Sequence, residues 1–424
     1  MKAVKQHFDK QSTRKLFILL FSLVTFGFAW LMPDRHEMLN NYWYLLTHQT
    51  YLMHDLFEVV GLSATFFNIS LHFLTAYYLM SRNERSNVNG LQMAAIGIFV
   101  GHGFFGTHIV NIIPIILGVV LYAKWTHQSF KLYTTVSLFA TATAPIVSYV
   151  MVTPALTIQS AILGIGVGLL IGFIAPPLAE QFLKFHHGFT LYNFGFTTGI
   201  IAMFFILLFP YFNWTIEPQS FLSNQYHHYL LAYYLLLLLL LAGIALWHLR
   251  DAWAKYATLI KSSGRVPDDF VSKFGLNSTL LNMVLNGLMF FVLLLLLNVT
   301  FTGPILGGLC SIIGFSAFGK HPRNCLPIAV GVILAASSLQ VPLTDQRVVL
   351  AILFGTALSP IAGFYGLGYG VVAGFLHYNL TAVVFPLHQG MTLYNNGFTT
   401  GFVAAFLVPI IDTIQDHKHY WTKK

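Results

Sequence analysis

The chain has 424 residues, of which 56% are hydrophobic, 16% aromatic and only 8% charged, and its mean hydropathy is positive. Soluble globular domains carry about a quarter charged residues, so this composition excludes a set of water-soluble domains and points to an integral membrane protein. The 22 Lys and Arg sit in short clusters between long apolar runs, which excludes a nucleic-acid-binding face and makes the net charge of +8 a matter of topology. The two cysteines, Cys310 and Cys325, form neither a disulfide framework nor a zinc pattern.

At the amino terminus, Lys2, Lys5, Lys10, Arg14 and Lys15 precede an apolar run from Leu16 to Met32 with no small-residue cleavage site behind it. This reads as an uncleaved first span. A bilayer core of about 30 Å needs about 20 helical residues. Ten apolar segments qualify: 16–32, 54–80, 132–151, 158–182, 190–212, 229–249, 274–298, 348–366, 367–385 and 392–411. Two further pairs, 90–105 with 109–123 and 303–318 with 325–339, are made of pieces too short to span. Each pair is expected to form a helical hairpin dipping into the membrane, either re-entrant or crossing twice.

With the amino terminus inside, the loops on that side hold Arg82, Arg85, Lys124, Lys131, Lys184, Arg250, Lys255, Lys261, Arg265, Lys273, Lys418, Lys423 and Lys424 as well. Only Arg35 and Arg347 fall outside, with Lys320 and Arg323 set apart at the second hairpin tip. The positive-inside rule is satisfied with both termini cytoplasmic.

The strongest signal is internal. HHGFTLYNFGFTTG at 186–199 returns as HQGMTLYNNGFTTG at 388–401, identical at 11 of 14 positions. FGTHIVNIIPIILGV (105–119) returns as FGKHPRNCLPIAVGV (318–332), and GLSATFFNISL (61–71) as GLNSTLLNMVL (275–285). TATAPI (141–146) likewise returns as TALSPI (356–361), and GVGLLIGF (166–173) as GYGVVAGF (368–375). The chain is a tandem duplication, 1–212 and 213–424, of a unit with five spans and one hairpin. An odd number of crossings inserts the second copy upside down, so an all-α polytopic fold of two inverted repeats is expected, with a site near the midplane where the copies meet.

The paired motif HxGxTLYNxGFTTG resembles that of an uncharacterised family of bacterial multipass membrane proteins with a duplicated domain of unknown function. The resemblance covers most of the chain and implies no substrate. More distantly, five spans plus a hairpin in each inverted repeat is similar to the architecture of urea transporters. Here TLYN stands where their Thr-Leu-Pro-Phe-like segment would be, so urea is not implied.

Helical spacing places Thr190, Asn193 and Thr197 on one face, with Gly195 and Gly199 as a small-residue ridge; Thr392, Asn395, Thr399, Gly397 and Gly401 repeat this. These stripes read either as polar walls facing each other across a solute path or as interhelical hydrogen bonding between closely packed helices. Tyr192 and Tyr394, with His186 and His388 at the preceding turns, belong to the same candidate solute-binding set. His108 with Asn111, and His321 with Asn324, occupy the hairpin tips as selectivity elements or as caps of the half-helices. Asn68 and Asn282, beside Thr65 and Thr279, read as interhelical hydrogen bonds. The cations Lys320 and Arg323 replace Thr107 and Val110 of the first copy. They would be topological if the hairpin crosses the membrane, and would favour an anionic solute if it is re-entrant.

No metal or cofactor motif is present, and the acids Asp55, Glu58, Glu180 and Asp269 lie near helix ends, with Asp269 placed to cap a helix. The expectation is a channel or facilitative transporter for a small polar solute in the bacterial inner membrane, with no cofactor, no nucleic-acid partner and an open oligomeric state. A membrane-embedded enzyme or a non-transporting scaffold is the alternative.

Overall fold

The computed structural model describes residues 11–52, 54–81, 88–216, 222, 224–246 and 249–422. Lys2, Lys5, Lys10, Arg82, Arg85, Lys423 and Lys424 lie outside them. The described residues form helices joined by short turns, with an isolated bridge between Asp269 and Phe318 and no strand among them. Among the described residues nine helices are long and apolar enough to cross a bilayer. A tenth is made if the first helix is taken with Arg35–Leu46, to which it is joined by a 111° bend. The chain is a multipass all-α membrane protein.

The first repeat runs through Gln11–Trp30, the short Met38–Leu46, Leu56–Ser81, a hairpin of Gly90–His102 and Ile109–Trp125, then Thr134–Val152, Ile158–Leu183 and Asn193–Phe212. The second repeats it with His227–Leu246, Leu249–Leu259, Leu276–Leu296, a hairpin of Gly303–Phe315 and Pro322–Ser338, then Gln346–Tyr365, Leu367–His388 and Asn395–Thr422. The short helices Met38–Leu46 and Leu249–Leu259 were not expected, because the surrounding turns mask their amphipathic pattern. Apolar side chains such as Leu163, Phe204, Leu239 and Phe406 are exposed on the outer surface, where lipid tails would meet them.

Local chemistry sets where the long helices begin. Gly61 (φ 81°) and Gly275 (φ 85°) hold the left-handed backbone that starts the second span of each repeat, a conformation few other residues adopt without strain. Asp34 accepts from the Ser63 amide with both oxygens, at 3.1 and 3.2 Å, and so closes the first of these starts. Asp269 caps Phe270–Phe274 through the Ser272 amide at 3.0 Å and also accepts from Gly90 of the other repeat at 3.1 Å.

The repeats are inverted and meet along their hairpins. Gly90–His102 and Gly303–Phe315 lie antiparallel, so that a methyl carbon on Gly97 would stand 2.8 Å from Gly314 Cα, and one on Gly101 would stand 3.1 Å from Gly307 Cα. Small residues let helices approach in a membrane, where close packing and hydrogen bonds, not burial from water, drive association. The helices Thr134–Val152 and Gln346–Tyr365 each loosen into a 3₁₀ turn, at Thr141–Thr143 and Thr356–Leu358. The loosening frees a carbonyl in each, and the motif turn of the other repeat supplies the partner: Leu393 N donates to Ala142 O and Leu191 N to Ala357 O, both at 2.9 Å. Backbone groups freed inside a bilayer persist only where protein or water satisfies them. Leu52 N to Gly390 O (3.0 Å) and Val266 N to Gly188 O (3.1 Å) make a second symmetric exchange.

Candidate functional site

Each motif is an extended approach followed by a helix that begins at the symmetry axis. His187 (φ 49°) and Gly188 (φ 76°), like Gln389 (φ 46°) and Gly390 (φ 80°), turn the chain into the approach. Equivalent residues that touch each other must straddle the pseudo-two-fold axis, and two pairs do so. A methyl carbon on Gly195 would stand 2.6 Å from Gly397 Cα, and the rings of Tyr192 and Tyr394 are 4.6 Å apart. Gly195 and Gly397 are each the third residue of their helix, so both amino-terminal helix ends, with their partial positive charge, converge at the axis.

The motif hydroxyls divide between two duties. Thr190 Oγ1 lies 3.0 Å from Thr400 Oγ1, and Thr392 Oγ1 lies 3.5 Å from Thr198 Oγ1, so these four side chains join the repeats. Thr197 and Thr399 bond back to the carbonyls of Asn193 and Asn395 at 3.0 and 3.2 Å. Asn193 donates to Ala179 O at 2.8 Å, and its Oδ1 lies 2.9 Å from His186 Nε2. Asn395 accepts from Asn396 at 3.1 Å, while His388 packs edge-on against Phe398 at 4.7 Å. The two asparagines are thus held within their own repeats, and the helices are in direct contact where they cross. Thr198 and Thr400, one residue beyond the stripe read from helical spacing, are the ones that reach across. The extended approach shifts the phase of the helix, and a count starting at Thr190 cannot register that shift.

The hairpin tips cap their returning half-helices. His108 N and His321 N each donate to the side-chain oxygen of Asn111 or Asn324 at 2.9 Å. The amides of these asparagines return to Gly106 O at 3.0 Å and Gly319 O at 2.8 Å. Asn111 also donates to Ser148 Oγ at 2.8 Å. From the second span, Asn68 donates to Gly103 O and Thr107 O, both at 2.8 Å; Asn282 donates to Ser316 O at 2.7 Å and Lys320 O at 2.8 Å. The interhelical role read for Asn68 and Asn282 is the one they have. Both tips end inside the protein, against the middle of a spanning helix.

Between the tips and the tyrosines lies a polar cluster in which the two repeats differ. Lys320, fully buried, donates to Tyr192 Oη at 2.5 Å and sits 4.5 Å from the Tyr192 ring centroid and 5.2 Å from that of Phe315. Tyr192 Oη also lies 2.5 Å from Ser311 Oγ. On the other side His102 takes the place of Phe315, with its ring 5.6 Å from that of Tyr394. Both His102 nitrogens and Tyr394 Oη are buried without a hydrogen-bond partner. Arg323, by contrast, is exposed. The exchange of Thr107 for Lys320 was legible in the repeat, whereas His102 needed its alignment with Phe315 to stand out from an apolar half-helix. Among the described residues no three His, Cys, Asp or Glu side chains converge as a metal-binding group.

A recess of about 640 Å³, lined by Tyr44, Thr47, His48, Gln49, Tyr51 and His54 among others, opens beside this cluster's second motif turn. Tyr51 Cβ is 3.3 Å from where a methyl carbon on Gly390 would stand.

No curated protein and no solved structure matches the chain. The sequence model of a family described as protein of unknown function (DUF1576) matches residues 34–210 and 249–413. The two matches fall one in each repeat and together cover most of the chain, so this duplicated membrane protein belongs to the DUF1576 family.

Proposed function

We propose that this protein carries a small polar solute across the bacterial inner membrane through the interface of its inverted repeats. The Tyr192–Tyr394 pair stands at the centre of that path. The carrying observation is that, of the buried polar atoms without partners in the interior, Tyr394 Oη and both His102 nitrogens gather at the axis beside the buried Lys320. Interiors built only for stability satisfy their buried polar groups, and the cost of leaving them unpaired is highest in hydrocarbon. Groups kept bare at the meeting of two inverted repeats are where a transporter holds its solute. Asn193, Asn395 and the motif threonines set the crossing that presents the tyrosines.

Tyr192, Tyr394, His102, Ser311 and Lys320 are all at most 1% exposed. A path shut at its centre favours a carrier that alternates over an open channel.

The test is uptake by proteoliposomes offered urea, glycerol, formate, nitrate and methylammonium in turn. One class should enter faster than into protein-free liposomes, and Tyr394→Phe, which removes a single oxygen, should slow it about tenfold or more at unchanged thermal stability. A monodisperse protein that moves none of them refutes transport.

Sidedness belongs to the same reading. With both termini cytoplasmic, Gln225→Cys faces the outside and Ser272→Cys the cytoplasm; both positions are exposed, whereas Cys310 and Cys325 are buried. An impermeant maleimide added to whole cells should label the first and spare the second. Labelling of Ser272→Cys alone would reverse the orientation.

A further inference from the structure

We infer that the solute is a small monovalent anion, held at the pseudo-two-fold axis between Lys320 and the Tyr192–Tyr394 pair. This rests on the transport reading above and names the chemical class of its solute.

Lys320 is fully buried, and among the described residues no carboxylate lies within ion-pair range of it. Its ammonium has three protons to donate, and one hydrogen bond, to Tyr192 Oη, is present. The two aromatic faces beneath it, Tyr192 and Phe315, offset part of the lost hydration. Hydration of a full cation is worth much more than that, so a buried ammonium persists where a counter-charge completes its surroundings.

The surroundings also offer hydrogen-bond donors. Lys320 can only donate. The Tyr192 hydroxyl accepts from Lys320 and shares a second hydrogen bond with Ser311 Oγ, in which either oxygen can donate. Tyr394 Oη and His102, which lie along the same axis, each have a proton to donate and no partner to take it, and the second His102 nitrogen is an acceptor that is also unpartnered. The amino-terminal ends of both motif helices point to this place, as the contact of their third residues shows. Donors, a buried cation and two positive helix ends without a carboxylate form the complement of an anion. A single ammonium balances a single negative charge. The rings of Tyr192, Tyr394, Phe315 and Phe354 pack against one another around this place, so an occupant has to be compact.

The first repeat supplies the contrast. Thr107, the equivalent of Lys320, is engaged with His72 Nε2 at 2.8 Å, and the second repeat has Asn286 bonded to Ser316 Oγ at 2.7 Å in the corresponding place. A tip of this fold closes without a cation, so the lysine is not needed to build one.

Full-length protein and its Lys320→Met variant are to be compared in proteoliposomes. Potassium nitrate or potassium formate is supplied with valinomycin to balance charge, and urea and methylammonium serve as neutral and cationic probes. Nitrate and formate should cross, and Lys320→Met should slow them about tenfold to a hundredfold. The same substitution removes an uncompensated buried charge, so Lys320→Met should melt at the same temperature as wild type or higher, where a structural lysine would lower it. Nitrate should also raise the melting temperature of the detergent-purified wild type and leave that of Lys320→Met unmoved. If the variant cannot be purified, Tyr192→Phe, which deletes the lysine's partner and keeps the ring, must show the same loss of nitrate flux. Passage of urea or methylammonium unaffected by Lys320→Met, with no anion flux, overturns the anion assignment and leaves transport standing. Stabilisation by nitrate that depends on Lys320 in a protein that moves nothing keeps the anion site and overturns transport. Absence of both flux and stabilisation overturns the two together.

Discussion

Replacing Asn282 by leucine will cost the protein about 2–6 kcal/mol, because one side chain satisfies two backbone carbonyls at once. Its amide donates to Ser316 O and Lys320 O, and all three residues are fully buried. Leucine fills the same space and strands both acceptors, each at about 1–3 kcal/mol when no water can reach it. Asn68→Leu should behave alike, since Asn68 holds Gly103 O and Thr107 O in the same way. Thermal unfolding in detergent reads the effect, with Leu288→Ala, a change at an exposed position of the same helix, as the control. If Asn282→Leu melts as the control does, the amide does not hold the tip, and the account of how the hairpin is kept inside the protein fails.

The second large effect is expected at the crossing of the motif helices. A methyl carbon on Gly195 would stand 2.6 Å from Gly397 Cα, and one on Gly397 would stand 2.7 Å from Gly195 Cα. Carbon atoms in contact prefer about 3.5–4.0 Å, so Gly195→Ala must drive the helices apart by roughly 1 Å. That displacement stretches the Thr190–Thr400 and Thr198–Thr392 bonds as well. Overpacking of this kind costs about 1–3 kcal/mol, and Gly195→Val should leave no monodisperse protein. Gly243→Ala is the matched control, since no atom lies within 4 Å of its added carbon. Equal melting of the two alanine variants would mean that the helices are not pressed together at the axis.

Much of this architecture was legible before any coordinates. The spans 158–182 and 367–385 are observed as Ile158–Leu183 and Leu367–His388, because membrane helices are written in length and composition. The hairpins were legible for the opposite reason, being too short to span. The inversion followed from an odd count. The candidate site was legible only in part. The motif marked Tyr192 and Tyr394, but hydrogen-bond assignments depend on helix phase, and the extended approach to Asn193 breaks the 3.6-residue count on which the stripe was drawn. Lys320 could be noticed and not placed, since its depth depends on whether the hairpin turns back inside. His102 carried no signal of its own, because one histidine in an apolar helix takes its meaning from a tyrosine nearly three hundred residues away.

The exchange of motif turns bears on how such a chain comes to be made. Leu191 hands its amide to Ala357, and Val266 hands its own to Gly188. The first half therefore leaves the ribosome with its motif turn undocked and with a carbonyl at Ala142 that waits for Leu393, about 250 residues further along the chain. Until then the insertion machinery must shelter an open seam in the bilayer. The same interlocking gives the duplication a history. A single unit of odd span number, inserted in both orientations, would have paired with its own inverted twin by trading these turns. In the fused chain the two copies are free to differ, and a lysine stands on one side of the seam and a histidine on the other.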